Sequence, residues 1–455
     1  MKMMKKNKIL LVSANKMRDP YPVYPLGLAY LHAYLKQQST ELEIEIFDFV
    51  DKEYADYETV LRQFKPDFVG ISLRNVDDVN VYVKESFISH YSKIVDCTRE
   101  NSLAVVILGG AGYSIFPELM YEKIKPDFGV YGEGELHFYE LINALRQNTD
   151  ISHIHNLIYK KDGKLVFKKQ KQSLKKIDLD FNDDMLDYYW QHSGMLNIQT
   201  KRGCPYKCIY CTYPVIEGHN VRTLDQDSII EKLEYLYRKK NIDYFFFTDS
   251  VFNIDNDFNY RLAEQIISRN LNIHWGAYFN FSNIDEQLLS TMKRAGLKHI
   301  EFGTDSLSDV MLKNYDKSFT VYDIERISDI CVKLEIDYAH FLILAGIGET
   351  EETIAETFEN SKRLQKTVFF PFIGLRIYPN TRLHQVAIDE GIVQPDDNLL
   401  LPAYYISDKV NIDTLKEKAS LTGKRWIFPD DDLSARMAKM RSRGKKGPLW
   451  EYLIQ

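Results

Sequence analysis

The sequence lacks a long apolar stretch, a strong charge of either sign and an even set of cysteines. No segment of the 455 residues approaches the roughly 20 apolar residues that span a bilayer, and the apolar run at 9–12 is too short for a signal-peptide core. The net charge of −7 argues against a broad surface for nucleic acid or anionic membranes. We therefore expect a cytoplasmic protein that binds no nucleic acid and does not insert into a membrane.

The cysteines are too few and too unevenly placed for a secreted disulfide framework. Three of them, Cys204, Cys208 and Cys211, fall within eight residues, and such a group in a reducing compartment more often binds metal. Cys97 and Cys331 stand alone in amphipathic segments, so we expect them to be small buried hydrophobes.

The first 148 residues alternate short apolar segments with segments long enough for helices. Strands are predicted at 8–13, 42–49, 67–73, 103–110 and 127–135, and helices at 26–38, 80–99 and 135–147. This alternation predicts a Rossmann-like, doubly wound parallel sheet of the α/β class, which binds ligands at the carboxyl ends of its strands. Polar or glycine-rich stretches follow three of the strands, at 72–77, 109–113 and 132–135.

A second alternating array begins at residue 195. Its strands are predicted at 195–200, 243–248, 273–279, 298–304, 337–346 and 368–378, with helices at 227–240, 257–269, 285–295, 321–335 and 351–365. Six such units without a seventh and eighth predict an open, partial (βα)6 barrel. The predicted domains are 1–148, a connector at 149–194 with a hairpin turn at 160–163, the barrel at 195–395, and a small, mainly helical region at 396–455.

The cysteine group has the sequence Cys204-Pro205-Tyr206-Lys207-Cys208-Ile209-Tyr210-Cys211 and follows the first strand of the second array. Three thiolates on one loop can ligate three irons of a cubane cluster, which leaves the fourth iron open for a chelating ligand. Tetrahedral zinc is the alternative, but a closed zinc site needs a fourth ligand, for which His219 is the nearest candidate. The spacing favours iron–sulfur and leaves zinc open.

This CxxxCxxC loop, with an aromatic residue before its third cysteine, resembles the radical S-adenosylmethionine (SAM) superfamily. The resemblance extends to segments after later strands, at 248–250, 302–306 and 346–350. It implies that the open iron chelates SAM and that the cluster cleaves SAM to a 5′-deoxyadenosyl radical. The implied SAM-binding residues are Tyr210, Thr248, Asp249, Ser250, Tyr278, Asn280, Asp305 and Arg376. Each strand-end residue can alternatively cap a loop or hydrogen-bond along the barrel rim.

The amino-terminal half adds a second resemblance. A Rossmann-like sheet, the segment 24–31 and two glycine-rich loops that precede the barrel are together similar to the cobalamin-binding radical SAM proteins. The implied cobalamin contacts are Ser72, Leu73, Arg74, Asn75, Val76, Asp77, Gly109, Gly110, Ala111, Gly112, Tyr113, Gly132, Glu133, Gly134 and Glu135. Glycines there let the backbone approach a flat macrocycle, although a tight turn would need them as well.

The histidine motif that many corrinoid proteins use to reach cobalt is missing. His32, His90 and His137 have no such context, and we expect them to be ordinary packing or surface residues. Leu73-Arg74-Asn75 is therefore the candidate for the lower face of cobalt. Arg74 would block water there without ligating, or would alternatively pair with Asp77, Asp78 or a corrin side chain and hold the loop.

The resemblance implies methylation of an unactivated carbon, or less often phosphorus, in a small-molecule or natural-product intermediate. Methylcobalamin would donate the methyl group, and no catalytic side chain beyond the cofactors is implied. A flavodoxin or ferredoxin would supply electrons to a monomer. The alternatives are ring formation or rearrangement without methyl transfer, a cobalamin domain that is only vestigial, and a non-catalytic cobalamin or redox sensor.

Basic residues gather near the carboxyl terminus. They are Arg436, Lys439, Arg441, Arg443, Lys445 and Lys446. They form either a solvated helix face or a wall of the substrate site.

Overall fold

The computed structural model describes residues 7–170, Leu179 and residues 181–454. The strands of the first sheet are β1 (Asn7–Ser13), β2 (Leu42–Asp48), β3 (Phe68–Ser72), β4 (Val105–Gly109), β5 (Phe128–Val130), β6 (Leu157–Lys161) and β7 (Lys164–Phe167). The helices among them are α1 (Leu26–Gln38), α2 (Tyr54–Phe64), α3 (Ile88–Asn101), α4 (Ala111–Ile115), α5 (Pro117–Ile124) and α6 (Glu135–Gln147). The basic start of the chain, at 1–6, lies outside the described residues.

The first sheet has the strand order β2-β1-β3-β4-β5-β6-β7, and β1 to β5 run parallel. Leu10 and Val12 belong to one hydrophobic cluster, while Ile9 and Leu11 belong to another. Both faces of β1 are thus covered, as a continuous apolar strand requires. The predicted doubly wound sheet is confirmed, and its strand order places a ligand crevice between the ends of β1 and β3.

The hairpin turn predicted at 160–163 is confirmed. Strands β6 and β7 pair antiparallel and join the edge of the first sheet. Asp162 and Gly163 have φ angles of 51° and 74°, and two consecutive positive φ values match the twist of a tight hairpin.

The helix predicted at 80–99 begins only at Ile88. The side chains of Asp77, Asp78 and Asn80 each accept an N–H from the residue two positions further on. Such local bonds satisfy the backbone in a turn and compete with helix formation. The prediction was therefore wrong for the first part of this segment, which forms a loop beside the ligand edge of β3.

The second sheet and its small neighbours contain β8 (Leu196–Ile198), β9 (Lys201–Arg202), β10 (Arg222–Thr223), β11 (Tyr244–Phe247), β12 (His274–Phe279), β13 (Leu297–Asp305), β14 (Asp337–Leu344), β15 (Thr367–Ile373), β16 (Leu375–Arg376), β17 (Tyr404–Tyr405) and β18 (Arg425–Trp426). The helices are α7 (Asp183–Ser193), α8 (Tyr213–Ile216), α9 (Gln226–Lys240), α10 (Asn256–Ser268), α11 (Glu286–Arg294), α12 (Asp309–Asn314), α13 (Val321–Lys333), α14 (Glu351–Ser361), α15 (Arg382–Asp389), α16 (Leu415–Ser420) and α17 (Ser434–Ser442). Single 3-10 turns occupy Phe252–Ile254, Ile412–Thr414 and Leu449–Tyr452.

The second sheet runs in the order β18-β15-β14-β13-β12-β11-β8, and all its neighbouring strands are parallel. The two end strands are not paired with each other, so the described strands form the expected open barrel. The carboxyl-terminal region adds one unpredicted element, because β18 pairs with β15 as a seventh strand. Two residues are too short a run to carry a strand signal in the sequence.

The strand predicted at 368–378 is divided at Gly374. This glycine has a φ of 68°, and a Cβ there would lie 2.7 Å from the Tyr405 carbonyl oxygen. Beyond it, β16 leaves the barrel sheet and pairs antiparallel with β17. The chain turns there because only glycine fits both the conformation and the close approach.

Cys97 and Cys331 are 6% and 0% exposed, as expected for small buried hydrophobes. Cys331 belongs to the largest hydrophobic cluster, which joins the barrel strands to the helices around them. No helix in the described ranges is both long enough and apolar enough to cross a membrane.

Candidate active site between the two sheets

A cavity of about 410 Å³ lies where the carboxyl ends of the two sets of strands meet. The predicted residues that line it are Ser72, Arg74, Gly109, Gly110, Ala111, Gly132, Glu133, Gly134, Glu135, Thr248 and Tyr278. Residues beside the cysteine loop, including Tyr213 and Glu217, line it as well. The two regions predicted from separate motifs therefore share one space.

Several predicted cobalamin residues lie behind the cavity wall instead, namely Leu73, Asn75, Val76, Asp77, Gly112 and Tyr113. A Cβ at Gly110, whose φ is 98°, would lie 2.6 Å from the Leu73 carbonyl oxygen, and a Cβ at Gly112 would lie 3.1 Å from that of Arg74. These two glycines allow the loop after β4 to pack against the loop after β3. Tyr113 is fully buried, and its hydroxyl lies where a Cβ at Gly129 would stand.

Other glycines keep the cavity itself open. A Cβ at Gly27 would meet no atom within 4 Å, and one at Gly132 would meet only the Ile216 carbonyl oxygen, at 3.9 Å. Both residues line the cavity. A side chain at either position would project into the free space of the cavity. The two glycines therefore leave room there for a broad ligand. This arrangement fits a macrocycle at the edge of the first sheet.

Arg74 reaches the cavity as an exposed side chain after β3. Within the described ranges it has no salt bridge or hydrogen bond, and its charge lowers the pKa values of Tyr21, Tyr213 and Tyr278 against the stronger effect of burial. Asp77, one of its expected partners, pairs with Arg376 instead, at 2.9 Å. The described part of the cavity lining includes no histidine.

The Arg376 guanidinium joins the two sheets. Its Nε donates to Asp77, and its other nitrogens donate to the carbonyls of Ile377, Ala403 and Leu399. Both side chains of the ion pair are at least 98% buried. Sequence reasoning assigned Arg376 to SAM and Asp77 to cobalamin; the structure brings them together and away from the cavity.

A second buried ion pair joins the sheets next to the cysteine loop. Arg202 Nη2 lies 2.9 Å from Glu135 and Nη1 lies 3.4 Å from Glu133, while Arg222 also binds Glu133. The Arg202 guanidinium stacks over the Tyr30 ring at 4.8 Å. The glutamates of the loop after β5 therefore hold the residue that precedes Gly203-Cys204, and they line the cavity at the same time.

The cysteine loop is fixed by its backbone. Gly203 has a φ of 92°, and a Cβ there would lie 2.2 Å from the Asn220 carbonyl oxygen. Its N–H donates to Glu217, and the next N–H, that of Cys204, donates to the Gly218 carbonyl. Glycine is thus required where the chain leaves β9 and begins the loop.

Of the three cysteines on this loop, Cys204 is buried, and Cys208 and Cys211 are half-buried. Burial raises the pKa of each thiol, and the charge of a neighbouring cysteine contributes at Cys208 and at Cys211, whose pKa is raised to about 12. Among the described residues, no three His, Cys, Asp or Glu side chains, the three cysteines included, converge enough to hold a single metal ion. The donor set, three soft sulfurs on one loop, fits an iron–sulfur cluster.

Lys317 supplies positive charge beside these thiols. Its ammonium lowers the pKa of all three cysteines and lies 2.9 Å from Asp305, which also accepts a hydrogen bond from the Tyr210 hydroxyl. Burial lowers the pKa of Lys317, but Asp305 and Cys208 raise it to about 12. The buried ammonium thus remains charged, and it stabilises thiolates when a cluster is bound.

Asp249 is buried beneath the same loop. Its Oδ1 accepts the backbone N–H groups of Thr200 and Lys201, at 2.6 and 3.0 Å, and its Oδ2 accepts from the Thr200 hydroxyl and the Lys201 ammonium. Asp249 and Lys201 are both 1% exposed. These bonds fix the bend between β8 and β9, from which the cysteine loop starts.

The remaining predicted SAM residues fall into two groups: some line the cavity, and others bind neighbouring loops. Tyr278 is 37% exposed and lines the cavity with Thr248. Ser250 donates to the Gly203 carbonyl, and the Asn280 side chain accepts from the Ser282 N–H. The last two hold loops at the barrel rim.

Sequence reasoning missed Tyr21, Arg202, Tyr213 and Lys317. Arg202 could have been noticed because it directly precedes the cysteine motif, and Tyr213 because it follows two residues later. Lys317, twelve residues after Asp305, carries no strand-end or spacing signal. Only the folded chain brings it to the thiols.

Comparison with known proteins agrees with this geometry. Residues 198–360 match the family model of the radical SAM superfamily, and residues 17–142 match that of the B12 binding domain. An uncharacterized methyltransferase of Pyrococcus horikoshii is 28% identical over 81% of this chain and 79% of its own length. The anaerobic magnesium-protoporphyrin IX monomethyl ester cyclase of Rubrivivax gelatinosus is 23% identical over 74% of this chain and 62% of its own length.

Among solved structures, the radical SAM methyltransferase TsrM from Kitasatospora setae, with cobalamin and a [4Fe-4S] cluster bound, superposes with a TM-score of 0.88. The match covers 98% of this chain and 97% of that one, at 21% identity, and so establishes a shared fold.

An open barrel of parallel strands with three cysteines on its first loop defines the chain as a radical SAM protein. More particularly, it belongs to the radical SAM proteins that carry an amino-terminal B12-binding domain. The cofactors of these two domains are a [4Fe-4S] cluster, SAM and cobalamin.

Proposed function

We propose that this protein is a cobalamin-dependent radical SAM methyltransferase that methylates an unactivated carbon of a small-molecule or natural-product intermediate. The observation that carries the proposal is the shared cavity, into which the loops after β3, β4 and β5 and the ends of barrel strands both project. Methyl transfer needs a methyl carrier and a SAM site within reach of one substrate, and a common cavity provides that proximity. The methyltransferase relatives support the same conclusion.

The residue roles follow from the contacts. Cys204, Cys208 and Cys211 ligate the cluster, and Lys317 offsets its negative charge. When bound, the cluster supplies the electron that cleaves SAM, and cobalamin carries the methyl group. The cavity-lining Thr248 and Tyr278 are the proposed side-chain contacts of SAM, and the resemblance adds the backbone of Tyr210.

Asp249, Ser250, Asn280, Asp305 and Arg376 act in this proposal by positioning the loops around SAM. Each of them has at least one polar side-chain atom bound by another part of the chain. A side chain that is already hydrogen-bonded has little left to offer a ligand.

On the cobalamin side, the cavity-lining residues after β3, β4 and β5 make the direct contacts, with Ser72 and Arg74 contributing side chains. Arg74 would lie at the lower face of a bound cobalamin, because it reaches the cavity without a partner among the described residues and Asp77, one of its candidate partners, is bound to Arg376. A guanidinium has no lone pair for a metal, so it excludes water without ligating.

The role of Arg74 is tested by electron paramagnetic resonance of the cob(II)alamin form. The wild-type spectrum should show no nitrogen splitting from an axial ligand and little axial water, and Arg74→Ala should admit water. An unchanged spectrum and an unchanged rate of cobalamin methylation in Arg74→Ala would leave Leu73 or Asn75 as the better candidate.

Several wider features belong to the same proposal. The protein acts as a monomer. It works in the reducing cytoplasm, because cluster binding requires reduced thiols. A flavodoxin or ferredoxin is its electron donor, because the cluster requires a low-potential electron. The domains are those expected from the sequence: 1–148, 149–194, 195–395 and 396–455. Phosphorus remains the less favoured methyl acceptor.

Ring formation without methyl transfer is the second candidate, which the cyclase relative favours. The two are separated by anaerobic incubation of the reconstituted protein with SAM, reductant and fractionated small-molecule extract. Methyl transfer yields S-adenosylhomocysteine, 5′-deoxyadenosine and a product heavier by one methyl group. Ring formation yields a new product without S-adenosylhomocysteine and would contradict the proposal.

A further inference from the structure

A buried carboxylate that forms no ion pair among the described residues lies in the lumen of the barrel. Glu301, on β13, is 3% exposed and has no ion pair among the described residues. Its one hydrogen bond there is accepted by Oε1 from the Trp450 indole N–H, at 3.1 Å. Buried carboxylates are usually paired with a cation or fully hydrogen-bonded. The second oxygen of Glu301 has no such partner among the described residues, so it is available to a bound ligand.

The carboxylate lies close to the cavity of the candidate active site. Glu301 stands opposite Tyr278 in the parallel register of β12 and β13. Burial, and after it the charge of Glu301, raises the pKa values of Tyr278 and Tyr21, both of which line the cavity. The carboxylate therefore acts electrostatically on the cavity wall.

The lumen above Glu301 is open. Gly303, two residues further along β13, points to the same face of the strand; it is exposed, and a Cβ there would meet no atom within 4 Å. Phe341 faces Gly303 in the register of the next strand and stacks on Phe370 at 5.0 Å, and Phe372 is 42% exposed. The space beside Gly303 is thus bounded by aromatic rings.

The carboxyl-terminal turn closes the lumen below this space. Trp450 packs on Ala339 and Val368, and Ala339 is opposite Glu301 in the strand register. Glu451 binds His299 at 2.7 Å and accepts from Tyr244, which anchors the turn to the barrel. The small side chain of Ala339 leaves the space that the Trp450 indole fills. Trp450 therefore closes the lumen beside Glu301 and holds its carboxylate through the indole N–H.

We propose that Glu301, held by Trp450, binds a positively charged amino group of the substrate, whose aromatic or apolar body fills the space beside Gly303. A buried anion needs a cation to offset its desolvation. The charge of His299 acts on Glu301, but this histidine is bound to Glu451, and no described cationic side chain forms an ion pair with Glu301. Aromatic faces around the space favour an organic cation as well. This inference rests on the proposed function, since it names the class of substrate for the same cavity.

The test uses three fluorinated probes that differ in one group: 4-fluorobenzylamine, 4-fluorobenzyl alcohol and 4-fluorobenzoate. Their binding to the oxidised, cobalamin-loaded holoenzyme is followed by 19F NMR line broadening. The amine should bind, and the alcohol and the benzoate should bind at least ten-fold more weakly. Equal binding of the benzoate or the alcohol, or no binding of the amine, would overturn the assignment.

Two variants locate the site. Glu301→Gln keeps an acceptor for Trp450 but removes the charge, and Gly303→Leu fills the open space at a position without positive φ. Each should weaken amine binding at least ten-fold, while Glu264→Gln, an exposed glutamate on α10, should not. Iron and cobalt content and the unfolding midpoint verify that the variants fold. Wild-type amine affinity in Glu301→Gln would refute the proposal.

The proposed function can fail separately. It is read from S-adenosylhomocysteine formation by the unmodified holoenzyme, which needs none of these probes. If the amine binds at Glu301 but no S-adenosylhomocysteine forms, the proposed substrate class is supported and the proposed methyl transfer is contradicted.

Discussion

The ligand edges of the two sheets meet at one cavity but are built in different ways. At the first sheet the wall includes several glycines, among them Gly27, Gly109 and Gly132. At the barrel the polar side chains mostly bind each other, as in the contacts of Asp249 and Asp305. The first edge leaves room for a broad ligand, whereas the second holds a cysteine loop in place.

This difference teaches how strand-end positions should be interpreted. The position alone predicts that a residue lies near the ligand edge. Whether the side chain then touches a ligand depends on the partners that the rest of the fold supplies, since buried polar groups must be satisfied. Glycine positions need no side-chain partner, and Gly109, Gly110, Gly132 and Gly134 line the cavity, whereas Gly112 lies behind its wall.

The largest effect is expected at the barrel edge, from replacing Cys204, Cys208 and Cys211 together by Ala. Iron, sulfide and SAM cleavage should all be lost, because the loop has no other donor set for the cluster. The measurement is metal and sulfide content after anaerobic reconstitution. Cys97→Ala, in a helix of the first sheet, is the matched control and should keep its iron. Full iron in the triple variant, or bound zinc, would contradict the cluster.

Asp249→Ala tests whether Asp249 stabilises the fold beneath the cysteine loop or contacts SAM directly. It leaves the buried Lys201 ammonium unpaired, so the free energy of unfolding should fall by about 3–5 kcal/mol in urea titrations. The double variant Asp249→Ala with Lys201→Met should recover part of that loss. A single variant of normal stability that fails only to bind SAM would show that Asp249 is a direct contact.

Arg202→Met tests the join between the two edges. Without the guanidinium, Glu133 and Glu135 lose their buried partner beside the cavity, and we expect cobalamin affinity to fall at least ten-fold. The affinity is measured by spectrophotometric titration with hydroxocobalamin. Arg222→Met removes a more exposed partner of Glu133 and should have a smaller effect. Equal effects of both changes would count against this role of Arg202.

The smallest effects separate two glycines of the first edge. Gly110→Ala forces a Cβ to 2.6 Å from a carbonyl oxygen at positive φ, and should lower the free energy of unfolding by about 2 kcal/mol. Gly27→Ala, inside α1, meets no atom and should raise it by up to about 1 kcal/mol while weakening cobalamin binding. Equal destabilisation by both substitutions would show that Gly27 does not face free space.

Much of this could be predicted from the sequence, because the signals are local. The strand periodicity, the Asp162-Gly163 turn and the cysteine loop each need only neighbouring residues. The side-chain contacts between distant parts of the chain could not be predicted. Asp77 and Arg376 are 299 residues apart, and Glu301 and Trp450 are 149 residues apart. Sequence patterns carry no record of such pairs, and several predicted ligand contacts became structural ion pairs for that reason.

The central claim is that cobalamin and SAM meet in one cavity. It is tested most directly by incubating the reconstituted protein with methyl-deuterated SAM, hydroxocobalamin and titanium(III) citrate without substrate. The account predicts S-adenosylhomocysteine together with an equal amount of deuterated methyl group recovered in cobalamin by mass spectrometry. Bound cobalamin that stays unlabelled, while SAM is cleaved only to 5′-deoxyadenosine, would contradict it.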